Sequence, residues 1–340
     1  MAVWLLAATT LLACNNKDNK PDTSGIKVDL QFKRFDQDFF SLDTNNLQQG
    51  LAALSGQYPE LTGIFLQNIL GAEPYAAAEN SRLYLRMSAA IRDTINDVFK
   101  STAELEKDFT AAFKIVKYYF PDYKVPAIYT VAGPMDALAQ GAYGPEPNFL
   151  RPDFAGISLQ FYLGRDFSIY HDEYFVNNVV PLYRSRRFSK EYIVPDVMKL
   201  VAENLFPDNS KARPLIEQMI ERGKQWWLLD KFLPDTHDSL KTGYTTRQLT
   251  WCRENEGLIW AHIVKTENLY ATDPFTLQNY LGEAPFTQGF SQEFSPGNLG
   301  SWIGWQIVKK YADKNSSSAV KEIMEAAPGH ILEAAKYKPK

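Results

Sequence analysis

The residue types that most often carry catalysis are thinly spread in this chain. Its four histidines, His171, His237, His262 and His330, lie far apart, and none has a second histidine four residues away. That spacing is what puts two imidazoles on one helical face, so a helix-borne two-histidine zinc site is excluded. The densest titratable run is "YHDEYF", with His171, Asp172 and Glu173 in a row. In an extended segment His171 and Glu173 would share a face and could hold a metal ion or polarise a water. The flanking charges favour a plainer reading, a polar surface loop after "YLGRDFSIY". In "WCRENEGLIWAHIV", Glu254 and Glu256 stand about 200° apart around a helix and cannot act as paired carboxylates. Cys252 and His262 also point in different directions there. No Gly-rich phosphate loop, G-x-S-x-G elbow, C-x-x-C pair or dinucleotide fingerprint occurs. "WIGWQIV" sets Trp302 and Trp305 on one helical face, with Gly304 permitting close backbone approach and Ser301 placed to cap the helix. This spacing suits core packing, while the sharper alternative is an aromatic groove or partner surface, since such rings are favoured binding anchors.

The elements that must position these residues follow from periodicity. "IKVDLQF" alternates Ile26, Val28, Leu30 and Phe32 on one face and predicts a half-buried strand. From Leu42 to Phe120 the pattern is helical. "NSRLYLRMSAAIRDTINDVFK" predicts a helix with Leu83, Met87, Ile91, Ile95 and Val98 on its apolar face, and "TAELEKDFTAAFKIVKYYF" a second, capped at Ser101/Thr102 and ended by Pro121. "KVPAIYTVAG" and "FAGISLQFYLG" are β-branched, aromatic and bounded by Gly and Pro, and predict two or three strands of a small sheet. Helices are expected again at about Tyr192 to Phe206, Ala212 to Leu233, Arg247 to Ala271 and Ser301 to Ala312. No fixed-period repeat and no linker after Gly25 divides the chain. The predicted fold is α+β, mainly helical with a small central sheet, as a single globular domain over residues 26–340.

Composition agrees with such a body. In 340 residues, 45% hydrophobic and 14% aromatic content is enough to fill a sizeable core. The formal charge of −4 is small, and no Lys/Arg block alternates with aromatics, which argues against a nucleic-acid partner. Residues 1–13, "MAVWLLAATTLLA", carry no charge and fall short of the roughly 20 residues a spanning helix needs, so they read as a signal peptide. "LLAC", ending at Cys14, resembles a bacterial lipobox, in which the cysteine is lipidated and becomes the new N-terminus. The usual Lys or Arg before the apolar run is missing, as it would be if the true start lay upstream of Met1. Asn15 to Gly25 is too polar to order itself, so residues 14–25 read as a lipidated cysteine and its tether. With Cys14 lipidated, Cys252 has no intrachain partner and reads as a buried helix thiol.

Taken in order, the lipobox, "YLGRDFSIY", "PLYRSRRFSKEYIVPDV", "IERGKQWWLLDKFLPD", "TGYTTRQLTWCRENEGLIWAHIV", "TDPFTLQNYLGEAPFT" and "SPGNLGSWIGWQIVKKY" resemble the GldB family of gliding-motility lipoproteins of Bacteroidota, over nearly all of the mature chain. The resemblance implies a lipid-anchored protein of the cell envelope that supports gliding and is associated with the gliding machinery and its linked type IX secretion system. The implied position is lipid-anchored and facing the periplasm, with inner or outer membrane left open. Implied partners are other envelope proteins of that machinery; no cofactor is implied.

A more distant similarity concerns "DVMKLVAENLFPD" and the segment up to Trp227. Its layout is similar to zinc peptidases that carry His-Glu-x-x-His on one helix and Glu-Gly-Leu-Ala-Glu on the next. Against that pattern the histidines fall on Ala202 and Phe206, the general base on Glu203, the later Glu-Gly pair on Arg222 and Gly223, and the implied third ligand on Trp226. A catalytic zinc needs three protein ligands and an open water position, and all three ligands are gone. Met198, Val201, Ala202 and Leu205 meanwhile complete the apolar stripe of an ordinary core helix. The similarity therefore implies a degenerate zincin-like scaffold without enzymatic activity, in which Phe206 fills the space of the metal. Glu203 would be left with solvation and a weak i, i+4 pair to Lys199. Two alternatives stand beside it: a zinc-dependent peptidase-like enzyme using His171 and Glu173, and a lipoprotein that takes a small ligand or peptide in a cleft beside Trp302 and Trp305.

Overall fold

The computed structural model describes residues 20–266 and 269–339. The readings placed on residues 1–13 and on Cys14 lie outside them. Lys20 to Gly25, the end of the segment read as a tether, lies against the body, where Lys20 pairs with Asp235. Ile26, Val28, Leu30 and Phe32 are half-buried while Lys27, Asp29 and Gln31 are exposed, so the period of two is real. Only Phe32–Lys33 (β1) pairs as a strand, however. Its partner begins at Ala127, directly after Pro126, which has no N–H to offer the residues upstream.

Six α-helices follow, α1 (Phe35–Phe40), α2 (Leu47–Gln57), α3 (Pro59–Ile64), α4 (Ala77–Met87), α5 (Ala89–Val98) and α6 (Ala103–Tyr119), with a π-helical turn at Phe65–Ile69 continuing α3 and a 3-10 turn at Pro74–Ala76 before α4. The single helix expected to carry Leu83 and Val98 is two helices, broken at Ser88, whose hydroxyl bonds back to the Tyr84 carbonyl at 2.6 Å. The break also corrects the expected apolar face: Ile95 is buried, but Leu83 and Met87 are 53% and 75% exposed. At the start of α6, Thr102 Oγ1 binds the Glu106 carboxylate at 2.6 Å rather than a backbone N–H.

The strands are β2 (Ala127–Val131), β3 (Ala139–Gly141), β4 (Gly144–Glu146), β5 (Asn148–Leu150) and β6 (Phe154–Ser158). Four form one sheet in the order β1-β2-β6-β5, parallel except for the edge strand β5, and β3–β4 is a separate hairpin. β2 and β6 are apolar at almost every position because both faces are covered. Ile128, Ala155 and Ile157 face the main core, while Val131 and Phe154 face a second cluster made by α1 to α3 with Phe35, Phe39 and Phe65. The Phe149 ring of β5 lies on its register partner Gly156, where a Cβ would meet it at 2.2 Å.

The rest of the chain is helical: α7 (Glu173–Asn178), α8 (Leu182–Ser185), α9 (Ile193–Leu205), α10 (Leu215–Phe232), α11 (Asp238–Thr242), α12 (Thr246–Glu254), α13 (Glu256–Thr266), α14 (Pro274–Leu281), α15 (Leu299–Lys314), α16 (Val320–Glu325) and α17 (Pro328–Ala335). The fold is thus mainly helical α+β with a small mixed sheet. The expected Arg247 to Ala271 helix is broken at Asn255, whose side chain bonds the Trp251 carbonyl at 2.8 Å, so Glu254 and Glu256 end one helix and start the next. Asn298, in the left-handed region at φ 48°, sets α15 off two residues earlier than expected. Ser301 therefore sits buried inside the helix instead of capping it.

α10 is the axis of this half, buried on nearly all sides, and α15 is its principal neighbour. Their backbones touch at two glycines. A Cβ on Gly304 would fall 1.7 Å from the Met219 carbonyl oxygen, and one on Gly223 2.2 Å from the carbonyl carbon of Gly304. Neither obstacle is a side chain that could rotate away. Gly304→Ala is expected to force the helices apart and cost about 3 kcal/mol or more, as overpacking a rigid contact does. Gly56→Ala, in α2 with open space at its Cβ, should instead stabilise by about 0.5–1 kcal/mol. Urea denaturation of both variants checks the pair; equal midpoints would show that the glycine contact is not needed.

Candidate functional site

α9 and α10 pack together, β5 lies against α9, and the β3–β4 hairpin closes over the space between them. The cleft between them has two adjoining lobes of about 100 and 110 Å³. Tyr143, Glu146, Asp196, Lys199, Gln225 and Trp226 border both. The first lobe continues over Asn148, Leu200, Ala202, Glu203 and Leu229; the second over Arg184, Arg187, Arg222, Lys241 and Glu283.

Of the six positions set against the zinc-peptidase pattern, Ala202, Glu203 and Trp226 border the first lobe and Arg222 the second. Ala202 forms floor, Glu203 and Trp226 form wall. Phe206 does not join them, contrary to the expectation that it fills the metal's space. α9 ends at Leu205, and Phe206 leaves the helical path to meet Phe120 edge-on at 5.6 Å. Zinc does not fit the residues present. Ala202 has no donor atom, Trp226 offers only an N–H, and Glu203 is the one remaining carboxylate of the pattern. Among the described residues no three His, Cys, Asp or Glu side chains converge as a metal set.

Glu203 also departs from its expected pairing. Lys199 binds Asp196 at 2.8 Å, and Glu203 Oε1 accepts from the Asp208 N–H at 3.1 Å, which closes the turn after α9. Partial burial raises the Glu203 pKa above the ordinary carboxyl range, with the Asp208 N–H acting against it. His171 and Glu173 lie outside the cleft. The segment is not extended: Asp172 caps α7 by accepting from the Tyr174 and Phe175 N–H groups, His171 bonds the Arg165 carbonyl at 2.9 Å, and Glu173 starts the helix, exposed. The partner surface considered for Trp302 and Trp305 is not presented, because the rings are 1% and 2% exposed in the core. Trp305 donates to Asp230 Oδ2 at 2.8 Å, stands edge-on to Trp226 at 5.8 Å and receives Lys309 over its face at 3.7 Å.

The charged residues of the cleft come from separated parts of the chain. Glu283 receives Arg187 at 3.0 Å and Arg184 at 2.7 Å; burial would raise its pKa, but the two guanidinium groups outweigh that and lower it. Asp196 accepts from Tyr162 at 3.1 Å as well as from Lys199. The hairpin is held from outside: Tyr143 donates to Asp208 at 2.9 Å, Arg222 stacks on the Tyr143 ring at 4.4 Å, and Arg184 donates to the Pro145 carbonyl. Arg187 and Glu283 are 96 residues apart, and no local pattern joins them. The hairpin had a signal in "GAYGPEP", a Gly/Pro-punctuated run of the kind that marks turns.

A sequence model of the family described as Gliding motility protein GldB matches residues 16–339. No curated protein and no solved structure matches the chain.

Glu146, on the rim of the hairpin, holds its proton up to about 7, because burial penalises the charged form and Asp196 adds repulsion, with Lys199 pulling the other way. The unfolded chain releases this proton near 4.5. Between those values the folded state binds the proton and the unfolded state does not, so this group makes stability fall as pH rises through the window. Glu146→Gln is expected to match the parent below about pH 4.5 and to exceed it by about 2 kcal/mol above pH 7, after discounting for the carboxyl's remaining exposure. Chemical denaturation at pH 4, 6 and 8 reads this directly, and a constant difference across the three would refute it.

Proposed function

The chain belongs to the GldB family of gliding motility proteins, and from that premise we propose that it is a lipid-anchored, non-catalytic component of the cell envelope that docks other proteins of the gliding and type IX secretion machinery. The anchor is Cys14, which closes an uncharged apolar run and precedes a polar tether. In support, none of the described helices is long and apolar enough to cross a membrane, so attachment by lipid accounts for membrane association without one. The body would then face the periplasm.

One observation carries the non-catalytic reading. Ala202, Glu203 and Trp226 share one cleft, as the helices of a zinc peptidase would bring their ligands together, yet only one of the three side chains can bind a metal. What persists is a cavity between two helices under a hairpin, which favours binding over hydrolysis. That cavity also supports a second reading, a lipoprotein that holds a small ligand or peptide segment, sited at Trp226 rather than at the buried Trp302 and Trp305.

Cys14→Ser is expected to release the protein from the membrane fraction and to abolish gliding, because acyl burial contributes about 0.8 kcal/mol per CH₂ and nothing else replaces it. Membrane fractionation decides this, with equal sedimentation of variant and parent counting against the anchor. Protein purified without chelator is expected to carry far less than one equivalent of zinc and to cleave no peptide. Metal analysis near one equivalent would overturn the non-catalytic reading. Crosslinking followed by pull-down from envelope fractions tests docking, and capture of no envelope protein would refute it.

A further inference from the structure

Three arginines border the second lobe of the cleft and have one carboxylate between them. Arg184 and Arg187 both pair with Glu283, at 2.7 and 3.0 Å, and the side chains of the three keep 16%, 18% and 31% of their surface exposed, so the group is not sealed. Arg222 forms no ion pair among the described residues. Its Nη1 donates to the carbonyl of Leu281, two residues before Glu283, and its guanidinium lies on the Tyr143 ring at 4.4 Å. Nε and Nη2, the side edge of that guanidinium, meet no acceptor among the described residues, and neither is shut inside the body as the Gln225 and Glu203 oxygens are. The acids whose charge Arg222 feels are engaged elsewhere: Asp208 with Tyr143, Glu203 with the Asp208 N–H, Glu283 with the other two arginines. Other charges at the lobe are matched, Lys199 by Asp196 and Lys241 by Asp230 and Asp238, while Glu146 holds its proton up to about 7. Burial works against the charge of Arg222, yet an arginine cannot shed its proton, and a buried charge without a counter-ion is costly.

We propose that this lobe binds a carboxylate, taken by the side edge of the Arg222 guanidinium in the field of Arg184 and Arg187, with a short apolar stem passing Trp226 into the first lobe. Nε–H and Nη2–H lie parallel and in plane, the fork that a planar carboxylate fills with two hydrogen bonds. A lobe of about 110 Å³ is small, so an anion inside it lies close to every group on its border. Trp226 borders both lobes, and Leu200, Ala202 and Leu229 line the first, a surface that suits methylenes and offers nothing to a bare inorganic anion. Glu283 and Asp196 remain at the border, and their charges disfavour a dianion such as phosphate. The proposal deepens the reading of the cleft as a binding site and rests on it.

The test is calorimetric titration of the full chain at pH 6 in a nonionic detergent with sodium hexanoate, with hexanamide as the uncharged probe of the same stem. Hexanoate is expected to bind with Kd of about 1 mM or tighter, and hexanamide at least tenfold more weakly. This pair needs no variant, so it decides the matter even if a substitution disturbs the hairpin. Arg222→Lys keeps the charge and loses the fork; it should weaken hexanoate about tenfold while leaving the weak binding of hexanamide as it was. Nα-acetyl-leucine separates the sources. If it binds as tightly as hexanoate, the ligand is the C-terminal carboxylate of a polypeptide; if hexanoate binds and it does not, the ligand is a free aliphatic acid. Unchanged hexanoate affinity in folded Arg222→Lys, or tighter binding of inorganic phosphate than of hexanoate, would overturn the assignment. Equal binding of hexanamide would strike the carboxylate and leave the cleft a binding site, whereas no binding by any of these probes would strike both, so the two failures are distinguishable.

Discussion

The contact on which the rest of the structure depends is the meeting of two backbones at Gly223 and Gly304. With no Cβ between them, α10 and α15 approach until peptide groups touch, and dispersion is gained along both helices at once. α10 is thereby fixed in the centre of the body, and the side chains that leave its surface have little freedom in where they point. Gln225 and Trp226 reach the cleft, Arg222 reaches the hairpin, and Asp230 receives both the Trp305 indole and Lys241. The position of the cleft follows from the crossing of two helices whose glycines are not in the cleft at all.

Around that axis polar groups are buried in pairs that satisfy each other. Glu283 with its two arginines, Asp196 with Tyr162 and Lys199, and Asp230 with Lys241 and Trp305 each keep a carboxylate charged or hydrogen-bonded inside the body. Such groups are tolerated where every lone pair is met and costly where one is not. Asn148, Gln225 and Glu203, which border the cleft, each keep one buried oxygen without a partner among the described residues.

Much of the fold was legible in the sequence because it rests on periodicity. β2 and β6 announce themselves as apolar β-branched runs, α9 and α10 as amphipathic or fully apolar helical spacing, and Gly304 between two tryptophans as a site of close approach. The errors share a cause. Ser88 and Asn255 break helices by turning their side chains onto the preceding turn, and Asn298 starts one in a left-handed conformation; each is a local competition whose winner depends on tertiary contacts. The candidate site was legible only in part. Ala202, Glu203 and Trp226 were singled out by the resemblance to zinc peptidases, whose pattern puts them on two successive helices. The hairpin above them, and the pairing of Arg187 with Glu283, depend on chain segments that meet only after the whole body has folded.

The β3–β4 hairpin is hydrogen-bonded to itself and belongs to neither edge of the four-stranded sheet. Lifting it would break no ladder bond of that sheet, but would part the hairpin from β5 and from Asp208, Arg222 and Arg184. Arg222 and Arg184 therefore belong both to the wall of the cleft and to the fastening of the hairpin above it. A change at either would alter the lining of the cleft and the hold on the hairpin together. The shape of the cleft and access to it are thus coupled, and neither can be changed at Arg222 or Arg184 without moving the other.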